Sequence, residues 1–218
     1  MKNNFDLIIF DWDGTLSNSA GLIINSIKEA CATKGISIPS HQAISSVIGL
    51  ELNKMFIQLF TDYNASDIDD LREIYTKIYR QNYNKIQLFE GVVLGINELK
   101  RQGYLLSIAT GSSRRSLDRA LLETSIKNCF SSTKTIDECF SKPHPQMILE
   151  ILDSLMIEPE RTLMVGDSGY DLQMAVNAKV SSLAVTYGSH VKDQLASYNA
   201  LDYMDSPYEI FEWIGRYG

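Results

Sequence analysis

Short apolar runs alternate with amphipathic segments along most of the chain. Continuous apolar runs occupy residues 5–10, 104–110, 161–166 and 181–187, and a weaker run surrounds residues 129–133. Runs of this length are typical of strands that are buried on both faces of a sheet. Segments with helical spacing lie between them, such as residues 112–123 and 170–178. The alternation predicts βαβ units and an α/β fold with a Rossmann-like, doubly wound parallel sheet.

The alternation stops between about residues 17 and 88, where the pattern is helical throughout. In the clearest helix of this stretch, Ser66 is the expected N-cap, and Asp69 follows three residues later. Apolar residues then recur at helical spacing: Ile68, Leu71, Ile74, Tyr75, Ile78 and Tyr79. Gly35 and Gly49 are expected to end two further helices.

We therefore predict a chain of two domains. Residues 17–88 form an all-helical cap domain, which is inserted after the first strand into a Rossmann-like catalytic core of residues 1–16 and 89–218. The hinges between the cap and the core are expected near Ser17–Ser19 and near residues 89–92.

Composition and charge narrow the classes of function. The chain has 218 residues, of which 44% are hydrophobic and 22% are charged, as in ordinary globular proteins. Its 27 acidic and 20 basic residues give a net charge of −7, which argues against nucleic acid and anionic membranes as partners. Three scattered cysteines and an N-terminal apolar run too short for a signal peptide predict a cytoplasmic protein. We expect a monomer that acts on a small molecule.

Residues with phosphate or metal chemistry follow the predicted strands. They are Asp11 and Asp13 after the first strand, Thr110, Gly111 and Ser112 after the second, Lys142 before a later helix, and Asp167 and Asp171 after residues 161–166. In an open parallel sheet, ligands bind outside the carboxyl ends of the strands. We therefore expect all of these side chains to meet at one edge of the sheet.

Four carboxylates that converge need a compensating cation. Asp11 and Asp13 are two positions apart on an extended segment, so their side chains share a face. Asp167 and Asp171 are four positions apart at the start of a helix, and they also share a face. An oxygen-only set without clustered His or Cys favours Mg²⁺. The predicted metal residues are therefore Asp11, Asp13, Asp167 and Asp171.

The charge balance also separates the roles of the first two carboxylates. Magnesium and Lys142 supply three positive charges against four carboxylates, so one carboxylate must be protonated if the site is to be neutral before a phosphate binds. We assign this proton to Asp13, which then acts as general acid toward the leaving alkoxide. Asp11 stays ionised and is the nucleophile that forms an aspartyl-phosphate.

Four motifs carry a resemblance to a known family. In chain order, "DWDGTL", "ATGSS", "SKPHP" and "GDSGYD" resemble the motifs of the haloacid dehalogenase superfamily in its phosphatase branch. Their spacing is similar to that of the phosphoglycolate phosphatase-like members, which carry a helical cap after the first motif. The resemblance spans nearly the whole chain. It implies a magnesium-dependent phosphomonoester hydrolase acting on a small phosphorylated metabolite, such as phosphoglycolate, through an aspartyl-phosphate.

The resemblance also implies roles for the acidic residues. Asp11 would be the nucleophile and Asp13 the acid/base, with the backbone carbonyl of Asp13 facing the metal. Asp167 would bind magnesium, and Asp171 would support either that site or Lys142.

The polar residues of the other motifs would bind the phosphate. Thr110 and the backbone at Gly111 and Ser112 would hold the phosphoryl oxygens. Lys142 would neutralise charge on the phosphate and on the nucleophile, and it is counted with Thr110 among the catalytic residues.

Two arginines open the helix that follows Thr110. Arg115, Arg119 and Glu123 recur at i, i+4 spacing, which predicts a solvated, ion-paired face for Arg115. Arg114 is therefore the arginine that we assign to substrate binding.

Other functions share part of this pattern. A phosphomutase of the β-phosphoglucomutase type is the alternative, but its cap must grip a second hydroxyl or phosphate, and residues 46–55 contain only Lys54 as a basic residue. A dehalogenase does not need the second carboxylate, Asp13. A receiver-like phospho-acceptor signalling domain has its acidic pair before the acceptor strand and no helical insert after the first strand, so it fits the order of the motifs poorly.

Overall fold

The structure, a computed structural model, describes residues 4–83 and 87–218. Within these residues, six parallel strands form one sheet in the order β3-β2-β1-β4-β5-β6. The strands are β1 (Leu7–Phe10), β2 (Leu105–Ala109), β3 (Ser132–Lys134), β4 (Thr162–Gly166), β5 (Ser181–Val185) and β6 (Tyr203–Met204). The predicted doubly wound α/β sheet is confirmed. The strand order reverses between β1 and β4, which is the position where such sheets bind ligands.

The helices follow the strands as the sequence pattern predicts. In chain order they are α1 (Ala20–Lys34), α2 (His41–Ser45), α3 (Leu52–Leu59), α4 (Ala65–Asn82), α5 (Val92–Arg101), α6 (Arg114–Leu122), α7 (Gln146–Leu155), α8 (Gly169–Ala178), α9 (Lys192–Leu195) and α10 (Pro207–Tyr217). No helix within the described residues is long and apolar enough to cross a bilayer.

The central strand β1 contributes to two hydrophobic layers, one on each face of the sheet. Ile8 and Phe10 pack with side chains of α5, α6 and α10 on one face. Leu7 and Ile9 pack with side chains of α7 and α8 on the other face. The alternation of neighbouring residues between two buried layers explains why this strand is a continuous apolar run.

The insertion between β1 and β2 is helical, as predicted, and has its own hydrophobic core. Buried side chains of α1, α2, α3 and α4 form one cluster that is separate from the layers of the sheet. Gly35 ends α1 in a left-handed conformation with φ of 72°, as expected. Gly49 does not end a helix, because α2 ends at Ser45.

The start of α4 differs from the sequence-based expectation. The N-cap is Asn64, whose side chain accepts a hydrogen bond from the backbone N–H of Asp67 at 3.0 Å. Ser66 lies inside the helix instead. Asn and Ser are similarly good N-caps, so propensity alone does not choose between two candidates that lie two residues apart.

The two segments that connect the insert to the core are hydrogen-bonded to each other. The backbone N–H of Asn18 donates a hydrogen bond to the carbonyl oxygen of Gln87 at 2.9 Å. The backbone N–H of Phe89 donates to the carbonyl oxygen of Leu16 at 3.0 Å. The two connecting segments therefore lie side by side, like a short pair of strands. The domain limits of 17–88 and the positions of the hinges stay predictions.

Candidate active site

Lys142 lies at the centre of a buried ion-pair network at the carboxyl end of β1. Its ammonium group donates to Asp11, the residue after β1, and to Asp171 in α8 at 2.6 Å. The three side chains are almost completely shielded from solvent. Burial alone lowers the pKa of Lys142, but the two carboxylates raise it above its ordinary value, so the group stays charged.

Three buried carboxylates surround this ammonium group. Oxygen atoms of Asp11, Asp167 and Asp171 all lie within 4.8 Å of one another. With the charge of Lys142, the group carries a net charge of −2, which one divalent cation would neutralise. Burial raises the pKa of Asp11 well above its ordinary value, and Lys142 only partly opposes this effect. The cluster therefore needs a further positive charge or a proton.

The carboxylate oxygens of this cluster differ in the hydrogen bonds that they accept. The Oδ2 atom of Asp11 is buried without a hydrogen-bond partner in the described structure. Both oxygens of Asp171 are occupied, since Oδ1 accepts from Lys142 and Oδ2 accepts from the backbone N–H and hydroxyl of Ser168 at 3.1 and 2.5 Å. Asp171 thus holds Lys142 in place, whereas the open oxygen of Asp11 and the all-carboxylate set suit a hard dication such as Mg²⁺.

Asp167 accepts hydrogen bonds from Thr15 of the first motif and from Ser189, which lies outside the four motifs. Its Oδ2 atom accepts from the backbone N–H and hydroxyl of Ser189 at 2.7 and 2.6 Å, and its Oδ1 atom accepts from the Thr15 hydroxyl at 3.3 Å. Burial and the nearby Asp171 raise the pKa of Asp167 to about 6 despite these bonds. A Cβ atom at Gly14, where φ is 87°, would lie 2.2 Å from Asp167, so only glycine fits there.

Asp13 lies outside the carboxylate cluster. Its two oxygens accept hydrogen bonds from the hydroxyls of Ser19, at 2.6 Å, and Ser112, at 2.7 Å. Ser19 belongs to the segment that leads into the cap and Ser112 to the loop after β2. The structure therefore separates the two carboxylates that the sequence placed on one face. Asp13 faces hydroxyl groups, whereas Asp11 faces the ammonium group of Lys142 and the other carboxylates.

The loop after β2 lies against the cap. The Thr110 hydroxyl accepts a hydrogen bond from the backbone N–H of Ser112 at 3.0 Å, which closes a tight turn. A Cβ atom at Gly111 would lie 2.7 Å from the carbonyl oxygen of Gly49 in the cap. The absence of a side chain at Gly111 thus allows the cap backbone to approach this loop.

A cavity of about 460 Å³ lies between the core and the cap above these residues. Its core side includes Asp11, Asp13 and Thr110, and its cap side includes Tyr75 and Tyr79 of α4. Burial and the nearby Asp13 raise the pKa of both tyrosines, so their hydroxyls stay protonated and able to donate. The volume matches the range of pockets for small ligands.

The two arginines at the start of α6 do not take the positions that we expected. The guanidinium of Arg114 bonds to Glu138 at 2.8 Å and to the Thr133 carbonyl at 2.9 Å, away from the cavity lining. Arg115 lines the cavity instead, and the predicted ion pair on this face joins Arg119 to Glu123. Arg114 lies outside this cavity lining because β3 and the segment after it provide partners for its guanidinium, and its role in substrate binding stays a prediction.

The chain matches proteins of one family over most of its length. The model of the haloacid dehalogenase-like hydrolase family matches residues 8–185. The chain is similar to "Probable phosphatase IndB" of Dickeya dadantii, with 33% identity over 87% of this chain and 84% of that protein. It is also similar to "Pyrophosphatase PpaX" of Bacillus mycoides, with 27% identity over 96% of each chain.

Solved structures share the whole architecture. A predicted phosphoglycolate phosphatase from Haemophilus somnus matches with a TM-score of 0.87 and 23% identity, over 97% of this chain and 99% of that chain. A haloacid dehalogenase-like family hydrolase from Streptococcus pneumoniae matches with a TM-score of 0.83 and 24% identity, over 96% and 98%. At this level of identity the likeness concerns the fold.

Proposed function

Because the chain belongs to the haloacid dehalogenase-like hydrolase family, we propose that it is a magnesium-dependent phosphatase of a small phosphorylated metabolite. The observation that carries this proposal is the state of Asp11 at the cavity. One of its oxygens is held by Lys142, and the other is buried without a partner. A carboxylate in this state is oriented and desolvated, as a nucleophile requires.

Each residue of the site has a separate role in the proposed reaction. The carboxylate of Asp11 attacks the phosphorus atom, and a phosphoryl group is transferred to it while the bond to the leaving oxygen breaks. Asp13, held by the hydroxyls of Ser19 and Ser112, gives a proton to the leaving oxygen and later takes one from the attacking water. The loop at Thr110 binds phosphoryl oxygens, and Lys142 offsets their charge.

Asp11 and Asp167, with the backbone carbonyl of Asp13, are the groups that would hold magnesium. When bound, the ion would neutralise charge on the carboxylates and on the phosphate. Asp171 is a positioning residue in this scheme, because its Oδ1 atom binds the ammonium group of Lys142 at 2.6 Å. The Oδ1 atom of Asp167 has only a 3.3 Å contact with the Thr15 hydroxyl, so it is the more available of the two for the ion.

The substrate class is narrowed by the cavity and by the relatives. The volume of about 460 Å³ suits a small metabolite rather than a polymer end. Relatives bear the names pyrophosphatase and predicted phosphoglycolate phosphatase. We therefore propose phosphoglycolate-like esters first and inorganic pyrophosphate second.

The test measures inorganic phosphate release from phosphoglycolate, pyrophosphate, several sugar phosphates and p-nitrophenyl phosphate, with magnesium and with a chelator. We expect metal-dependent release that Asp11→Asn lowers by at least about a thousandfold. Asp153→Asn, an exposed residue of α7, is the matched control and keeps the activity. Release that persists in Asp11→Asn would contradict the proposed nucleophile.

The cap segment of residues 46–55, whose one basic residue is Lys54, gives the phosphomutase alternative little support. Lys54 donates to the Ser141 hydroxyl at 2.6 Å and is absent from the cavity lining. A mutase would show little phosphate release and a phosphorylated Asp11 that persists until a second hydroxyl accepts the group. The same experiment, with the phosphorylated protein followed by mass, therefore separates the two reactions.

A further inference from the structure

Two arginines at the cavity carry charges that the described chain does not neutralise. Arg115 in α6 and Arg80 in α4 both line the cavity. The ion pairs of the neighbouring arginines are Arg114 with Glu138, Arg119 with Glu123 and Arg72 with Asp69. Within residues 4–83 and 87–218, neither Arg115 nor Arg80 has such a partner. Guanidinium groups are always charged and suit carboxylate or phosphate oxygens.

The contact between α4 and α6 brings these two arginines to the same part of the cavity. The Tyr83 hydroxyl, just after α4, donates to the carbonyl oxygen of Ser116 in α6 at 3.1 Å. The guanidinium of Arg119 lies 4.6 Å from the centre of the Tyr83 ring. Arg80 lies one turn before Tyr83, and Arg115 directly precedes Ser116. The two charges therefore flank a contact that joins the cap to the core.

The acidic residues of the cavity lining accept hydrogen bonds from groups other than Arg115 and Arg80. The carboxylate of Asp137 accepts from the backbone N–H of Arg114 at 2.5 Å. Glu51 accepts from the side chain of Asn53 at 3.2 Å and makes no ion pair with an arginine among the described residues. Asp11 and Asp13 face Lys142 and two serine hydroxyls. Within the described residues, no carboxylate of this cavity lining therefore pairs with Arg115 or Arg80, and both guanidinium groups can bind a ligand there.

We propose that Arg115 and Arg80 form a second anion subsite, which binds a carboxylate or phosphate group on the leaving part of the substrate. This inference rests on the proposed function, in which the transferred phosphoryl group binds at Asp11 and Thr110. The substrate class then becomes a small phosphate ester or anhydride that carries a second anionic group.

The subsite also links substrate choice to the position of the cap. Arg80 belongs to the cap and Arg115 to the core, so an anion that contacts both bridges the two parts. A substrate with a neutral leaving group lacks this bridge and gains nothing from either arginine. Selectivity for the second anion is therefore expected in KM more than in kcat.

The experiment compares Arg115→Gln and Arg80→Gln with the wild-type protein on three substrates. Phosphoglycolate and pyrophosphate carry a second anionic group, and p-nitrophenyl phosphate does not. Lys77→Gln is the matched control, because Lys77 is an exposed cation of α4 outside the cavity lining. We expect each arginine variant to raise KM for the first two substrates about tenfold to a hundredfold, while KM for p-nitrophenyl phosphate changes less than about twofold.

The outcomes separate this inference from the proposed function. Equal losses on all three substrates, or no loss on any, would overturn the second anion subsite and leave the phosphatase intact. A change in Lys77→Gln as large as in the arginine variants would overturn it too, since the effect would be one of net charge. If the wild-type protein releases no phosphate from any substrate, the proposed function fails, and the inference fails with it.

Discussion

At the residue scale, Lys142 stabilises a site that would otherwise repel itself. Its ammonium group is the cation that faces the carboxylates of Asp11 and Asp171, and none of the three side chains is more than 2% exposed. The free energy of desolvating such groups is offset only when every charge has a partner. The arrangement of these carboxylates and the stability of the core therefore depend on the same residue.

This dependence gives a prediction about Lys142→Met. The apolar side chain fills similar space but leaves two buried carboxylates without their counter-charge. We expect turnover to be lost and the free energy of unfolding to fall by about 3 kcal/mol in the presence of a chelator. Chemical unfolding and phosphate release measure the two effects.

Lys134→Met is the matched control for this prediction. Lys134 pairs with Glu150 at 2.6 Å, but the two side chains are 24% and 37% exposed. A pair of this kind contributes less than about 1 kcal/mol, because solvent screens it. Equal destabilisation of the two variants would show that burial of the Lys142 pair does not matter.

The meeting of the acidic residues and Lys142 could be predicted from the sequence, whereas the hydrogen bonds that hold them could not. Asp11 and Asp167 directly follow β1 and β4 of a parallel sheet, so the fold brings them to one edge, and Lys142 reaches that edge from the loop before α7. Asp167 accepts hydrogen bonds from Thr15 and Ser189, which lie 152 and 22 positions away along the chain. A pattern among neighbouring residues does not predict bonds over such separations. The partners of Arg114 also escaped the sequence pattern, because helical spacing does not reveal that Thr133 and Glu138 lie beside it.

At the element scale, the N-cap of α4 controls the helix that carries the cap side of the cavity. Tyr75, Tyr79 and Arg80 all project from α4, and they line the cavity. The helix begins after Asn64, which accepts from the Asp67 N–H at 3.0 Å and donates to its carboxylate at 2.7 Å. Fraying of this end would weaken the packing of α4 on α1.

We predict that Asn64→Ala lowers the free energy of unfolding by about 1 kcal/mol, because an N-terminal N–H of α4 loses its acceptor. Ser66→Ala, the matched control, changes it by less than about 0.5 kcal/mol, since Ser66 is an exposed residue inside the helix. Thermal unfolding of both variants measures the difference. A larger loss in Ser66→Ala would mean that the helix is capped at Ser66 in solution.

Long apolar runs and helical spacing predicted the elements well, and short elements escaped this reasoning. The strands β1, β2, β4 and β5 fall within the four continuous runs. The edge strand β6 has two residues and pairs only with β5, so it depends on tertiary contact rather than on its own pattern. The start of α4 was missed for a different reason, because Asn64 and Ser66 are both good N-caps and lie two residues apart.

At the scale of the whole molecule, two hydrophobic cores meet at a cavity whose edges include polar contacts. Lys54 of the cap donates to the Ser141 hydroxyl at 2.6 Å, and the Tyr170 hydroxyl of the core donates to the Ser46 carbonyl at 3.0 Å. Polar contacts of this kind cost little to exchange for water. A cap held in this way is suited to open for substrate and to close over it.

The charge of the site should also make the free energy of unfolding of the whole protein depend on pH. Burial and the nearby Asp171 raise the pKa of Asp167 from its ordinary value of 3.8 to about 6, and burial also raises the pKa of Asp11. Between about pH 4 and about pH 6, the folded state therefore binds more protons than the unfolded state. Asp167 therefore favours folding at low pH, and this contribution is lost as pH rises from about 4 through about 6.

Magnesium should reverse this loss, because it binds the deprotonated carboxylates. At about pH 7.5 and a magnesium concentration a hundred times its Kd, we expect Tm to rise by about 5–10 °C over the chelator-treated protein. The rise should be smaller at about pH 5, where the ion must displace a proton from Asp167. Asp167→Asn removes the titrating group, so both the rise and its pH dependence should shrink. Since the measurement uses no substrate, an equal magnesium effect at both pH values would refute this account of the site whatever the enzyme hydrolyses.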